Sequence, residues 1–283
     1  MKIINSISEI YRCFDNGVFS VDDWRNYSFD ISKELYLLCE EDIKNYNFDL
    51  EVVPVLNNVM VNSDKLDILN ISFEKVMVNL KQDIQLLFDK DIEFSIILYL
   101  GLCNGAGWVT IVDGIDTILL GIEKIIELGW YEENVLKALI YHEIGHVWHK
   151  VYGNIEQPTT SVGDDGIQQL YQEGIAMRCE QILGNDDSLF HQYDEHWLNW
   201  CDDNLKQIKE EFWFRISNNI STSDFFGDWT SYQGHSDVGY YLGAKYVKYL
   251  ENYFSLVAIA NLSIAQLKSS FMDFVREINV VIK

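Results

Sequence analysis

Apolar residues recur at three- and four-residue steps through "ISKELYLLCEEDIKNY" (31–46) and "SFEKVMVNLKQDIQLLFD" (72–89), the period of helices with one buried face. Between them "EVVPVLNNVMV" (51–61) is short and rich in β-branched residues, which predicts a strand. The pattern then changes. "EFSIILYLGLCNG" (93–105), "GWVTIVDG" (107–114) and "TILLG" (117–121) are brief apolar runs punctuated by Gly, Asn and Asp, the signature of sheet strands with tight turns. Within them "CNGAG" (103–107) reads as a hairpin turn, and its glycines would also permit close backbone approach to a cleft.

Helical period returns in "ENVLKALIYHEIGHVWHKVYG" (133–153), with Glu132 and Glu133 near its start and Gly153 where a C-terminal cap belongs. A polar loop leads to "IQQLYQEGIAMRCEQILG" (167–184), entered through Asp165 and Gln168 in capping-box spacing. A later helix, "GHSDVGYYLGAKYVKYLENYF" (234–254), carries the stripe Tyr240, Gly243, Ala244, Val247, whose small residues suit close packing. The expected fold class is α+β: a small mixed sheet next to a mostly helical domain. Its expected division is a helical N-terminal region, 1–91, packed on a domain of residues 92–283 that holds the strand-rich part and the C-terminal helices.

Composition narrows the function classes. A chain of 283 residues, 48% of them hydrophobic, can bury a sizeable core. It has no run of about 18 uncharged apolar residues, and its start lacks the basic-then-apolar layout of a secretory signal, so the expected setting is cytoplasmic. Five cysteines without a C-x-x-C pair suggest reduced thiols. A net charge of −23 repels phosphate backbones and anionic surfaces, so neither nucleic acid nor membrane is an expected partner.

The chemistry concentrates in "YHEIGHVWHK" (141–150). His142 and His146, four residues apart on a helix, share one face, where their imidazoles can converge on one zinc ion. Glu143 lies about 100° round from His142, where a general base for a zinc-activated water belongs. A third protein ligand must come from elsewhere. The pattern that would supply it as a third His needs Gly at 149 and His at 152, and the chain has His149 and Tyr152. Glu173 is the favoured ligand, because its helical neighbours Leu170, Ala176 and Met177 form an apolar face on which a carboxylate is costly unless something positive meets it. Asp164 and Asp165 are rivals, although capping explains Asp165. Glu180 shares the face of Glu173 and suits an acceptor for the outward nitrogen of a ligand His, or a plain solvated position. His149, His191, His196 and His235 read as ordinary polar residues. Cys179, six residues past Glu173, falls on the other side of that helix and should leave the fourth metal position open.

"HEIGH" followed by "EGIA" resembles the gluzincin arrangement of zinc peptidases, and in particular the predicted zinc-dependent proteases with an H-E-x-x-H … E-G-x-A pattern. The resemblance covers about residues 92–256 and is carried by the two short motifs. It implies a zincin-like fold, Zn2+ held by His142, His146 and Glu173, Glu143 as general base, and hydrolysis of a peptide or protein substrate. It also implies that the sheet before the motif offers an edge strand to extended substrate. The G-Y-x-x-G segment (239–243) resembles one in these proteases, which points to Tyr240, with Tyr241 behind it, as donor to the oxyanion. The alternative is a non-catalytic zinc- or peptide-binding protein on the same scaffold, which the intact Glu143 argues against.

Overall fold

In the computed structural model, which describes residues 1–192 and 194–277, the chain divides into two compact units at Glu143 and Ile144. Residues 278–283, the end of the expected 92–283 region, lie outside the described residues. The first unit runs β1 (Lys2–Asn5), the small hairpin β2 (Phe14–Asp15) and β3 (Val18–Phe19), then α1 (Val21–Ile31), α2 (Lys33–Asp42), α3 (Val53–Val61) and α4 (Ser63–Asp83). It continues through β4 (Ser95–Tyr99), β5 (Gly107–Val112), β6 (Ile115–Gly121), α5 (Ile122–Leu128) and the first part of α6 (Glu133–Tyr152). The α+β class is thus observed.

The main sheet has the order β1-β4-β6-β5. β4 is parallel to both of its neighbours and buried at every position, which is why its sequence is a continuous apolar run rather than an alternating one. β5 and β6 form an antiparallel hairpin turned at Asp113 and Gly114, both in the left-handed region that an Asp-Gly turn supplies. The 103–107 segment is therefore not a hairpin turn. It carries the chain from β4 to β5, and β6 lies between those strands. Buried Glu123 fixes this loop by accepting the backbone N–H groups of Gly101 (2.7 Å) and Cys103 (2.9 Å), and burial pushes its carboxyl up to about 7.

One expectation fails here. The 51–61 segment is helical: a π-turn over Phe48–Val52 leads directly into α3. Pro54 sits in the first turn of α3, where its missing N–H has no partner to lose, and Val52, Leu56 and Val59 are buried at three- and four-residue steps. Packing on one face overrides the β-preference of five valines. Within region 1–91, β1 supplies an edge strand of the main sheet.

The second unit continues α6 and adds α7 (Val162–Gly184), α8 (Glu195–Ser217), α9 (Val238–Leu250), α10 (Leu256–Ile259) and α11 (Ile264–Glu277). α7 is its axis. It begins five residues before the expected start, capped by Ser161, whose side chain accepts from Asp164 N, so Asp165 is not the cap. Gly153 ends α6 for a reason other than a left-handed cap: a Cβ there would lie 2.2 Å from the carbonyl oxygen of Ala260. Among the described residues no helix is long and apolar enough to cross a membrane.

Candidate metal centre

The small residues of the two motifs are packing contacts. A Cβ on Gly145 of α6 would lie 2.6 Å from the Cα of Ala176 on α7, so the two backbones touch there. One on Gly174 would lie 2.6 Å from the carbonyl oxygen of Gly243 on α9, so the second glycine of G-Y-x-x-G marks another backbone crossing. Glu173 lies next to Gly174 and three residues before Ala176, so both crossings lie beside it. Its carboxylate meets His146, one residue beyond Gly145, with His146 Nε2 and Glu173 Oε2 3.4 Å apart.

That distance is informative. Charge-assisted N–H···O bonds settle at about 2.7–2.9 Å, whereas two ligands at about 2.0–2.1 Å from a tetrahedral zinc are about 3.3–3.4 Å apart. His142, on the same unbroken helix one turn earlier, completes a set in which one ligand atom each of His142, His146 and Glu173 lies within 4.8 Å of the others. Two imidazoles and one carboxylate are a donor set suited to zinc. The His146 and Glu173 side chains are 18% and 16% exposed, which leaves an approach for water or a substrate. Nearby Asp237 is pushed up to about 6, mainly by burial, with Asp228 and Glu173 adding to the rise against a hydrogen bond from Gly227 N. A cation at this set would relieve that crowding of negative charge.

Glu143 is buried and faces β5: a Cβ on Gly107 would lie 2.5 Å from its Oε1 and 2.9 Å from its Cδ. Nothing in the sequence marks Gly107 in its own right; the permissive glycines of "CNGAG" are the signal that points to it. The chain here allows the strand backbone to approach the carboxylate to within contact distance.

The remaining candidates separate cleanly. Tyr241 is buried and donates its hydroxyl to Asp202 Oδ1 at 2.6 Å, which commits that hydroxyl elsewhere. Tyr240 is half-buried, edge-on to the ring of His191 with centroids 6.0 Å apart. Asp164 is tied to Lys268 and Thr160, and Lys268 above all holds its carboxyl below the ordinary range. His149 packs edge-on against Tyr171 at 4.8 Å, and burial pushes its ring down to about 3. His235 stacks on Trp200 at 3.9 Å, and the backbone N–H of His196 belongs to the cap of α8. Cys179 is buried and belongs to neither group of metal-compatible side chains.

His191 is the residue that sequence reading passed over. It stands in a second set, with one ligand atom each of His142, Glu180 and His191 within 4.8 Å of one another. Its Nδ1 lies 2.8 Å from Glu180 Oε2, and burial pushes its ring down to about 3. Nothing around it in "SLFHQYD" marks it as special. The only available signal was Glu180, a carboxylate on an apolar helix face that needs a partner. No family model, no curated protein and no solved structure matches this chain.

Proposed function

We propose that the protein is a zinc metallopeptidase of the gluzincin type on a zincin-like fold, hydrolysing peptide bonds in a peptide or protein substrate. The observation that carries this reading is the grouping of His142, His146 and Glu173, with His146 Nε2 and Glu173 Oε2 3.4 Å apart, a distance two ligands of one zinc could span. His142, His146 and Glu173 would hold the metal. Zinc in such a set supplies Lewis acidity, activating water as a nucleophile and polarising the scissile carbonyl.

The protein's own groups do the rest. Glu143 takes the water proton and later delivers it to the leaving amine. Tyr240 donates its hydroxyl to the developing oxyanion, a role that the bond to Asp202 denies to Tyr241. β5 borders Glu143 and is paired on one side only among the described strands, so it is the edge on which an extended substrate would add. All five cysteines are thiols rather than disulfides, in keeping with a reducing, cytoplasmic setting. The charge of −23 disfavours phosphate backbones and anionic surfaces as partners.

Elemental analysis tests the reading: about one zinc per chain in the wild type, lost or weakened in Glu173→Ala. A wild type without zinc after growth in zinc would refute it.

A further inference from the structure

The same helix face that carries Glu173 carries Glu180 two turns later, and α6 carries His142 one turn before His146. Each carboxylate thus meets an imidazole of α6: Glu173 meets His146, and Glu180 belongs to one group with His142 and His191. The two groups differ in kind. Glu180 and His191 are 2.8 Å apart, the length of a charge-assisted hydrogen bond and well short of the edge of a zinc tetrahedron at about 3.3 Å. His142, Glu180 and His191 are also all buried, with 0% of the Glu180 side chain exposed, so no open position faces water or substrate. A carboxylate so enclosed is stable only where donors meet it, and two imidazoles are the donors at hand.

From this we infer that Glu180, braced by His191, is a positioning residue for the metal centre. It accepts a hydrogen bond from the ring nitrogen of His142 that does not face the metal, and so fixes both the tautomer and the orientation of that ligand. His191 holds Glu180 in place through its Nδ1–H and is itself held edge-on by Tyr240. This inference rests on the metal reading proposed above. It adds that the departure of Glu180 or His191 weakens a site whose three ligands are intact. Outer partners of this kind are worth about 10–100-fold in metal affinity.

The test is zinc affinity by chelator competition on full-length wild type, Glu173→Ala, Glu180→Gln and His191→Phe, with thermal unfolding of each zinc-free protein as a control. Expected are zinc lost in Glu173→Ala, and one zinc per chain bound about 10–100-fold more weakly in Glu180→Gln and His191→Phe. Affinities within twofold of wild type in both, with Glu173→Ala still losing zinc, overturn the role of Glu180 and leave the metal reading standing. Zinc retained by Glu173→Ala but lost by Glu180→Gln puts the metal in the buried group and overturns both, as does a wild type that binds none. Should the variants fail to fold, the zinc-loaded wild type still decides by nitrogen-15 spectra of its histidine rings. One His142 nitrogen should carry the metal and the other a proton protected from exchange. A His142 N–H exchanging as fast as that of an exposed histidine overturns the inference.

Discussion

Gly145→Ala tests the dependence of the metal centre on backbone contact, because it adds one methyl group at the crossing of α6 and α7. The new Cβ would stand 2.6 Å from the Cα of Ala176, 2.8 Å from its carbonyl oxygen and 2.9 Å from the Cβ of Cys179. Carbon atoms in a packed interior settle at about 3.5–4.0 Å, so the helices must part by roughly 1 Å. Backbone lies on both sides, and no flexible side-chain end can give way in its place. His146 is the next residue on α6 and Glu173 is less than one turn from Ala176 on α7, so their 3.4 Å separation opens by a similar amount. Metal–ligand distances tolerate about 0.2 Å. The expected result is zinc affinity down by at least tenfold, together with an overpacking cost of about 1–3 kcal/mol. At about 2–4 °C per kcal/mol for a chain approaching this size, the melting temperature falls by several degrees. Chelator competition and calorimetric melting, with exposed Lys150→Ala on the same helix as control, provide the two readouts. A Gly145→Ala protein with wild-type zinc affinity and a melting point within about 1 °C would refute the argument that the ligands are positioned by this crossing.

Other outcomes follow from the same geometry. Glu143→Gln should keep one zinc per chain and lower peptide turnover by about 10²–10⁴-fold, and an active variant would remove Glu143 as the base. Gly107→Ala should displace the Glu143 carboxylate and reduce turnover by about 10²-fold while zinc affinity stays within about threefold, because no ligand is touched; a parallel loss of zinc would contradict this. Glu123 has its folded pKa raised from 4.5 to about 7, so between those values the unfolded chain has released a proton that the folded chain retains. Its contribution to stability therefore falls as pH rises from about 4.5 to about 7 and is flat above. The stability gap between wild type and Glu123→Gln should change across that window by up to about 1.4 kcal/mol per pH unit. Urea titrations at several pH values that show a constant gap would sink the assignment.

Helical period and i, i+4 spacing made α6 and the approach of His142 and His146 legible, and the apolar neighbours of Glu173 marked it as needing a cation. The entry of α7 was hidden because "VGDDG" (162–166) is poor helix-forming sequence. It is helical because Gly163 and Gly166 pack without side chains against Ile216 and Thr222. Valines 52, 53, 55, 59 and 61 carry a strand signal that one-sided burial overrides. The sequence offers Glu180 as a carboxylate in need of a partner but does not point to His191, since their pairing depends on how the chain after α7 folds back, and no period or spacing encodes that return.

The parallel pairing of β1 with β4 has a consequence for the order of events during synthesis. Ile3 pairs with Ile96, so the first strand leaves the ribosome long before its partner exists. At about 5–20 residues per second it waits roughly 5–20 s, whereas the β5–β6 hairpin, a contact between chain neighbours, closes in microseconds once made. The sheet is therefore expected to nucleate from its far edge and to admit β1 last. A peptide matching residues 1–6, or a bulky tag ahead of Met1, would then interfere with completion of the sheet rather than with its beginning.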